Sequence, residues 1–228
     1  WDEKKILYKR GEYRNMNSVI EVIGVNKNFK DHAVLKNINL TVNKGEICGI
    51  IGRNGSGKTV LLKCICKIFL EDSGEIRVLG ENTVKKPEII KNLGVLIENP
   101  AFLENFSGYW NLKFLADLSH KIGKKEVKDI LETVGLGTVK NKKVKNYSLG
   151  MKQRLAIAQT IMEKQTILIL DEPMNGLDKK GVSQMREIFL EYKKAGNSIL
   201  MATHNPQDVE ILCDHVYEMD DGVIEKIY

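Results

Sequence analysis

A glycine-rich segment at residues 50–62 (IIGRNGSGKTVLL) constrains this chain more than any other feature. It carries Gly52, Gly57, Lys58 and Thr59 in the pattern G-x-x-x-x-G-K-[ST], between an apolar run and a stretch with helical spacing. Glycines let the backbone curl so that several N–H groups point at one phosphate, and the following helix presents the positive end of its dipole. The pattern predicts a nucleotide-phosphate site, with Lys58 on the β- and γ-phosphates and the Thr59 hydroxyl on Mg²⁺. The predicted cradle consists of Gly52, Asn54, Gly55, Ser56, Gly57, Lys58, Thr59 and Val60.

The order of strand and helix patterns indicates an α/β fold. Residues 46–52 form a continuous apolar run, which is typical of a buried parallel strand. The other predicted strands are 18–29, 37–42, 75–80, 93–97, 166–171 and 198–203, the main predicted helices are 58–69, 149–163 and 179–195, and a hairpin turns at Asp221-Gly222. The sequence therefore predicts a P-loop NTPase core with a parallel sheet flanked by helices, an antiparallel β subdomain and an inserted helical subdomain at about residues 99–163.

Composition narrows the class of protein further. The chain has 228 residues, 43% of them hydrophobic, and a formal net charge of +5. Its apolar runs are too short to span a bilayer, no secretory signal is visible, and the mild charge does not require a nucleic-acid partner. We expect residues 18–228 to form the functional domain, and residues 1–17, which begin with Trp1, to be an extension with Met16 as the natural start.

The four cysteines are Cys48, Cys64, Cys66 and Cys213. Their spacing matches no zinc pattern. We expect them to be small buried hydrophobes that stay reduced in the cytosol, with a redox role as the alternative.

A second motif, ILILDEP at residues 167–173, places two carboxylates at the end of an apolar strand. Phosphoryl transfer assisted by magnesium needs one carboxylate near the metal and another near the attacking water. Asp171 is the candidate for the first role, through a metal-bound water, and Glu172 for the second, as general base or water-positioning group. A strand that simply ends in a charged turn is the alternative, which the phosphate loop makes much weaker.

The segments YSLGMKQRLAIAQTI (147–161) and LDEPMNGLD (170–178) resemble the nucleotide-binding subunit of an ABC transporter, and the resemblance covers about residues 18–228. It implies ATP as the nucleotide and a dimer of two ATP-binding subunits, either identical or paired. It also implies that Ser148 and Gly150 close over the γ-phosphate of ATP held by the opposing subunit. Leu149 and Met151-Lys152 depart from the common LSGGQ form.

The same resemblance implies roles for three further residues. Asp178 would link the two sites across the dimer, although by itself it reads as the N-cap of the next helix. His204 would contact the γ-phosphate and hold the attacking water. Phe29 would stack on adenine, with Val34 and Val42 as weaker candidates, and a core phenylalanine is the alternative interpretation of Phe29.

Glu98 stands where this family usually has a glutamine that touches Mg²⁺ and water. A carboxylate there can still ligate Mg²⁺, and it adds negative charge beside Asp171 and Glu172. The IENP sequence around it resembles the exporter ATPases of bacitracin resistance and lantibiotic immunity.

The resemblance implies a separate integral membrane permease, which would place this chain at the cytoplasmic face of the membrane. The candidate docking residues are Phe102, Phe106, Tyr109 and Trp110, and packing in the core of the helical insert is an equal alternative role for them.

A soluble ABC ATPase acting on ribosomes or nucleic acid is the second function class, but such proteins carry two cassettes or a long coiled coil. A regulatory module with a degenerate site is the third, and the intact Lys58, Asp171, Glu172 and His204 argue against it. We expect no nucleic-acid partner.

Overall fold

The computed structural model describes residues 17–98 and 101–228. The predicted N-terminal extension therefore lies outside the described residues except for Asn17. In chain order the strands and α-helices are β1 (Ser18–Phe29), β2 (His32–Asn43), β3 (Ile47–Ile51), α1 (Lys58–Ile65), β4 (Ser73–Val78), β5 (Glu81–Asn82), β6 (Leu93–Leu96), α2 (Gly108–Ser119), α3 (Lys124–Thr133), α4 (Leu149–Ile161), β7 (Ile167–Asp171), α5 (Lys179–Lys194), β8 (Ser198–Ala202), α6 (Pro206–Leu212), β9 (His215–Asp220) and β10 (Val223–Lys226). Short 3₁₀ helices span Pro87–Asn92, Gly137–Val139 and Val144–Asn146.

The first sheet is antiparallel, in the order β2-β1-β4-β5. Val22 of β1 pairs with Leu40 on one side and with Ile76 on the other, and all three side chains are buried. This confirms the antiparallel β portion expected at the start of the chain. Strand β2 begins at His32, five residues before the predicted start, because its first residues pair with the end of β1 across a tight turn.

The second sheet has six strands in the order β10-β9-β3-β8-β7-β6. Strands β9, β3, β8, β7 and β6 are parallel, and β10 returns antiparallel to β9 through the turn at Asp221 and Gly222. Parallel strands bring their carboxyl ends to the same edge of a sheet. The loops after β3, β8, β7 and β6 therefore leave from one edge.

Both faces of this sheet are buried, which explains its continuous apolar strands. Ile167 and Ile169 pack in one hydrophobic cluster with the antiparallel sheet and α1, whereas Leu168 and Leu170 pack in another with the helices. The helices α2 to α4 lie in the stretch predicted as an inserted subdomain, and their buried residues share the second cluster with the sheet. The limits of that subdomain stay a prediction.

Helix α1 ends at Ile65, four residues before the predicted end. Lys67 takes a left-handed backbone with φ of 56°, and the amide N–H groups of Ile68 and Phe69 turn back to the carbonyl of Lys63. Because left-handed turns favour glycine, a lysine in this position gave no sign of the helix end.

The β9–β10 hairpin reaches back to the start of the chain. The Gly222 N–H donates to the carbonyl oxygen of Ser56 at 3.1 Å, and the Lys36 N–H donates to the Gly222 carbonyl at 2.7 Å. A Cβ atom at Gly222 would lie 2.4 Å from the Val34 carbonyl oxygen, so only glycine fits this approach. The hairpin tip thus fastens the loop after β3 to β2.

None of the helices in the described part of the chain combines the length and the apolar character that crossing a bilayer requires.

Candidate active site

The glycine-rich segment forms the loop between β3 and α1, as predicted. Gly52 and Gly57 have φ of 150° and 111°, in the region that side chains disfavour. A Cβ atom at Gly52 would lie 2.1 Å from the Met219 carbonyl oxygen of β9. The loop therefore needs glycine where it leaves the sheet.

Lys58 and Ser56 give this loop its polar interior. The Lys58 Nζ donates to the carbonyl oxygens of Gly52 at 2.7 Å and Arg53 at 2.9 Å, and only 7% of the residue is exposed. The Ser56 hydroxyl is buried and has no hydrogen-bond partner among the described residues. A buried ammonium and an unpaired hydroxyl beside a helix N-terminus suit a phosphate group.

Thr59 and Asp171 meet across the sheet edge. The Thr59 hydroxyl, in the first turn of α1, donates to Asp171 Oδ2 at the end of β7 over 2.7 Å. A hydroxyl and a carboxylate are hard oxygen donors of the kind that Mg²⁺ prefers, and Mg²⁺ usually takes only one or two carboxylates and completes its shell with water and substrate phosphate. The residues present therefore fit a magnesium ion bound together with a nucleotide.

Glu172 and His204 form a second pair at the same edge. The His204 Nδ1 lies 2.8 Å from Glu172 Oε1, and 62% of the imidazole is exposed against 21% of the carboxylate side chain. Glu172 has a left-handed backbone with φ of 48°, and its N–H donates to the Ala202 carbonyl of β8 at 2.9 Å. The structure thus aims both side chains from neighbouring strands at one point.

Ser148, Gly150 and Asp178 lie together where the N-terminus of α4 packs on the loop between β7 and α5. Ser148 caps α4 by accepting from the Met151 N–H at 3.2 Å, and Asp178 caps α5 by accepting from the Gly181 N–H at 2.9 Å. A Cβ atom at Gly150 would lie 2.8 Å from the Gly176 carbonyl oxygen. Gly150 thus packs on the loop before α5, and the side chains of Ser148 and Asp178 each cap their own helix.

Glu98 pairs with a lysine of α1. The Lys63 Nζ forms an ion pair with Glu98 Oε1, and Glu98 has φ of 58° and a side chain that is 61% exposed. Lys63 stands one turn after Thr59 on α1. The metal-binding role of Glu98 stays a prediction, and Asn99 and Pro100 of the IENP segment lie outside the described residues.

Phe29 lies at the surface, so the core interpretation of this residue is wrong. It is 40% exposed, and its ring meets that of Phe69 edge to face with centroids 5.3 Å apart. Val42 is fully buried in the first core cluster and is excluded as a base contact, whereas Val34 is partly buried. Adenine stacking by Phe29 stays a prediction.

The four aromatic docking candidates divide into two pairs. Phe102 and Tyr109 pack partly buried against the second core cluster, as the core alternative expects. Phe106 is 44% exposed and stacks on Trp110 at 4.0 Å between centroids, and Trp110 stacks on Phe114 at 5.2 Å. Sequence reasoning missed Phe114, although its spacing of four residues from Trp110 places both on one helix face. We call Phe106, Trp110 and Phe114 the aromatic stack.

Sequence reasoning also missed Gln153 and Arg154. The buried Gln153 Nε2 donates to the Pro173 carbonyl at 2.8 Å. The Arg154 Nη1 donates to the Val134 carbonyl at 2.7 Å and to Gln184 Oε1 at 2.5 Å. The segment SLGMKQR was noted in the sequence, but these hydrogen bonds join residues at least 20 positions apart in the chain.

The cysteines are free, and three of them are buried. Burial raises the pKa of the Cys64 thiol to about 11 and those of Cys66 and Cys213 to about 12. It also raises the pKa of Cys48. This environment disfavours the thiolate and agrees with the interpretation of these residues as small hydrophobes.

The fold and its phosphate loop define a P-loop NTPase. Comparison with known proteins narrows the class. The ABC transporter family model matches residues 35–175. YybJ of Bacillus subtilis (strain 168), an uncharacterized ABC transporter ATP-binding protein, is 41% identical over 207 residues, which is 91% of this chain and 95% of YybJ.

The bacitracin transport ATP-binding protein BcrA of Enterococcus faecalis is 38% identical over 215 residues, which is 93% of this chain and 70% of BcrA. Among solved structures, cbiO1 from Clostridium perfringens, part of the ABC transporter complex cbiONQ, superposes with a TM-score of 0.78 at 30% identity, covering 92% of this chain and 87% of cbiO1. The chain belongs to the ABC transporter family as an ATP-binding protein, and it is an ATPase.

Proposed function

We propose that this chain hydrolyses Mg²⁺-bound ATP to drive a separate membrane permease of the exporter type. The observation that carries the proposal is the meeting of four groups at one sheet edge. Thr59 bonds to Asp171 at 2.7 Å, and Glu172 lies 2.8 Å from His204. The loop that holds Lys58 leaves from the same edge.

The side chains divide the work of phosphoryl transfer to water. The loop N–H groups, Ser56 and Lys58 hold the β- and γ-phosphates. Thr59 and Asp171 hold Mg²⁺, which when bound neutralises charge that develops on the phosphate oxygens. Glu172 orients the attacking water and accepts its proton, and His204 holds the Glu172 carboxylate while reaching toward the γ-phosphate. The bond between the β–γ bridging oxygen and the γ-phosphorus breaks as the water oxygen attaches.

A second ATP-binding subunit completes the site in this proposal. Gly150 packs against the loop before α5, and among the described residues no hydrogen bond joins Ser148 to the phosphate loop of its own chain. A site at a helix N-terminus with a glycine at close approach suits phosphate. We infer that this segment meets ATP bound by another subunit, either identical or paired, and that Asp178 lies at the same interface. ATP then drives closure because it contacts both subunits only in the closed dimer.

The aromatic stack supports a permease as the docking partner. Exposed contiguous aromatic side chains are unusual on a monomer surface and are enriched in protein interfaces. The cbiO1 structure belongs to a multi-subunit transporter complex, which supports the same arrangement here. The proposed location is therefore the cytoplasmic face of the membrane.

The exporter assignment depends on the relatives and on one residue. BcrA is a bacitracin transport ATP-binding protein. The carboxylate of Glu98, in place of the family's usual glutamine, supports the subgroup of exporter ATPases that act in bacitracin resistance and lantibiotic immunity. We propose an antimicrobial peptide or a drug as the class of substrate.

Affinity capture tests this function. Tagged Glu172→Gln protein, loaded with ATP, is purified from detergent-solubilised membranes of its native cell, and the captured proteins are identified by mass spectrometry. We expect a dimer of ATP-binding subunits with a multi-span membrane protein in near-stoichiometric amount. The exposed Glu88→Gln variant is the matched control, since it also loses one carboxylate but at a residue outside the candidate site, and it should keep turnover.

A Trp110→Ala variant in the Glu172→Gln background then tests the docking surface. We expect it to lose the membrane protein while still forming the ATP-bound dimer. Capture of ribosomes or nucleic acid in place of a membrane protein would favour the soluble ABC class and overturn the transport proposal. If Trp110→Ala captures as much membrane protein as its parent, the aromatic stack is not the docking surface and has only a structural role.

A further inference from the structure

The first two turns of α4 lie directly on the loop between β7 and α5, residues 172–178. A Cβ atom at Gly150 would lie 2.8 Å from the Gly176 carbonyl oxygen, and one at Gly176 would lie 2.7 Å from Leu149 Cγ. Arg154 approaches the same loop, with its Nη2 3.8 Å from Asp178 Oδ1. The helix capped by Ser148 therefore contacts, at Gly176 and Asp178, the loop that begins with the candidate catalytic carboxylate.

Gln153 makes the central contact between α4 and the loop of residues 172–178. The residue is 8% exposed, and its Nε2 donates to the carbonyl oxygen of Pro173 at 2.8 Å in a buried setting. Pro173 follows Glu172 directly and has no N–H of its own to anchor it. The amide of Gln153 thus holds the Pro173–Met174 peptide, one peptide beyond the one that leaves Glu172.

The backbone at Glu172 needs such support. A non-glycine residue in the left-handed region costs about 1 kcal/mol or more and persists only where the surroundings hold it. Glu172 has φ of 48°, and its own N–H is fixed by the Ala202 carbonyl at 2.9 Å. Its carbonyl oxygen accepts from the Asn175 N–H at 3.1 Å. Strand β8 fixes the peptide before Glu172, and Gln153 fixes the carbonyl of the residue after it.

We propose that Gln153 is a positioning residue for Glu172. Its hydrogen bond to Pro173 keeps the left-handed turn in place, and that turn directs the carboxylate toward His204. Because Gln153 and Ser148 lie on the same helix, a movement of the Ser148 segment reaches Glu172 through this bond. This inference depends on the catalytic role of Glu172 given above.

The test compares two buried hydrogen-bonding side chains of α4. Gln153→Met keeps the length of the side chain and removes the amide donor. Thr160→Val is the matched control, since Thr160 is 5% exposed and its hydroxyl donates to the Ala156 carbonyl of the same helix at 2.9 Å. We expect Gln153→Met to lower kcat about tenfold or more while KM for ATP stays unchanged, because Lys58 and its loop are untouched. Thr160→Val should change neither constant, although both variants lower the melting temperature.

A double-mutant cycle separates positioning from general support. In the Glu172→Gln background, Gln153→Met should have little further effect on the residual rate, since the group that it positions is gone. Additive losses in the two backgrounds would overturn the proposal, as would equal kcat for Gln153→Met and Thr160→Val. If Gln153→Met does not fold, Gln153→Asn replaces it, because its amide is one methylene too short to reach Pro173 and the same loss of kcat is expected.

The outcomes distinguish this inference from the proposed function. Near-normal turnover by Glu172→Gln alone would remove Glu172 from its catalytic role and the proposed function would fail with it. An inactive Glu172→Gln variant together with a normal Gln153→Met variant would leave that function standing and reject the role of Gln153.

Discussion

His204 Nδ1 lies 2.8 Å from Glu172 Oε1, so the loops that follow two neighbouring parallel strands share one hydrogen bond. The carboxylate is fixed by its backbone and by burial, whereas the imidazole is largely exposed and reaches over the sheet edge. Because we propose that both groups act on the same water, they should act as a unit.

We expect His204→Ala to lower kcat about a hundredfold or more, because general-base assistance is worth about 10²- to 10⁴-fold and Glu172 loses the group that orients it. Nucleotide affinity should stay close to that of the parent protein, measured with a fluorescent ATP analogue. Combining His204→Ala with Glu172→Gln should add little to either single loss. Independent, multiplying losses would show that the two residues act separately.

The bond between Thr59 and Asp171 predicts a specific dependence on metal. Thr59→Val keeps the shape of the side chain but removes the hydroxyl, so the Mg²⁺ concentration for half-maximal ATPase should rise about tenfold or more. Binding of ATP in the presence of a chelator should hardly change. Thr59→Ser retains the hydroxyl and should behave like the parent protein, and an equal Mg²⁺ requirement in all three proteins would contradict the metal role.

The ion pair between Lys63 and Glu98 predicts coupling between α1 and the segment after β6. Exposed ion pairs contribute about 0.2–1 kcal/mol, so a cycle of Lys63→Met, Glu98→Gln and the double variant should give a coupling in the unfolding free energy of that size. Adding salt should reduce it. Measuring the Mg²⁺ concentration for half-maximal ATPase in the same variants shows whether Glu98 also reaches the metal. If Glu98→Gln leaves that concentration unchanged, Glu98 is not a metal ligand.

The cysteines predict a loss of stability in mild alkali. Burial in the folded protein raises the pKa of Cys64 to about 11 and those of Cys66 and Cys213 to about 12, against about 8.5 for an ordinary thiol. A raised folded pKa means that the unfolded chain loses its protons first as pH rises. The free energy of unfolding should therefore be insensitive to these thiols below pH 8 and fall above about pH 8.5, by about 1.4 kcal/mol per pH unit for each thiol.

Denaturant titrations between about pH 8.5 and 9.5 measure this slope, below the ordinary pKa of tyrosine. In the Cys66→Ala variant, the free energy of unfolding should fall less steeply with pH, by the contribution of one thiol, whatever the absolute stability of the variant. An identical slope in both proteins would show that the Cys66 thiol is not shifted. Alkylation at pH 7.5 should leave the native protein largely unmodified and label four cysteines after denaturation.

The parts of the fold that the sequence predicted are those determined by local pattern. The phosphate loop follows from spacing and from glycine conformations, and the strand ending in Asp171 follows from an apolar run buried on both faces. The hairpin at Asp221-Gly222 follows from turn chemistry, and both residues indeed have positive φ, at 42° and 75°. In each case the residues that set the structure are neighbours in the chain.

The features that were missed depend on packing between distant segments. Gln153 reaches Pro173 only because α4 lies on the loop after β7, and no spacing within α4 indicates it. Lys67 ends α1 in a left-handed turn without glycine. Phe29 lies at the surface because β1 runs to the end of its hairpin, whereas an aromatic in an apolar strand pattern is equally consistent with a buried position.

The contact between Gly222 and Ser56 also affects the order in which the site can form during synthesis. The ribosome makes the phosphate loop early, yet β8, β9 and the hairpin tip that hold it come from the last quarter of the sequence. At about 5–20 residues per second, the loop waits on the order of ten seconds or more for these partners. A nascent chain that lacks residues 198–226 therefore has the nucleotide motif without the sheet that shapes it, and ATP cannot assist folding until translation of this region is complete.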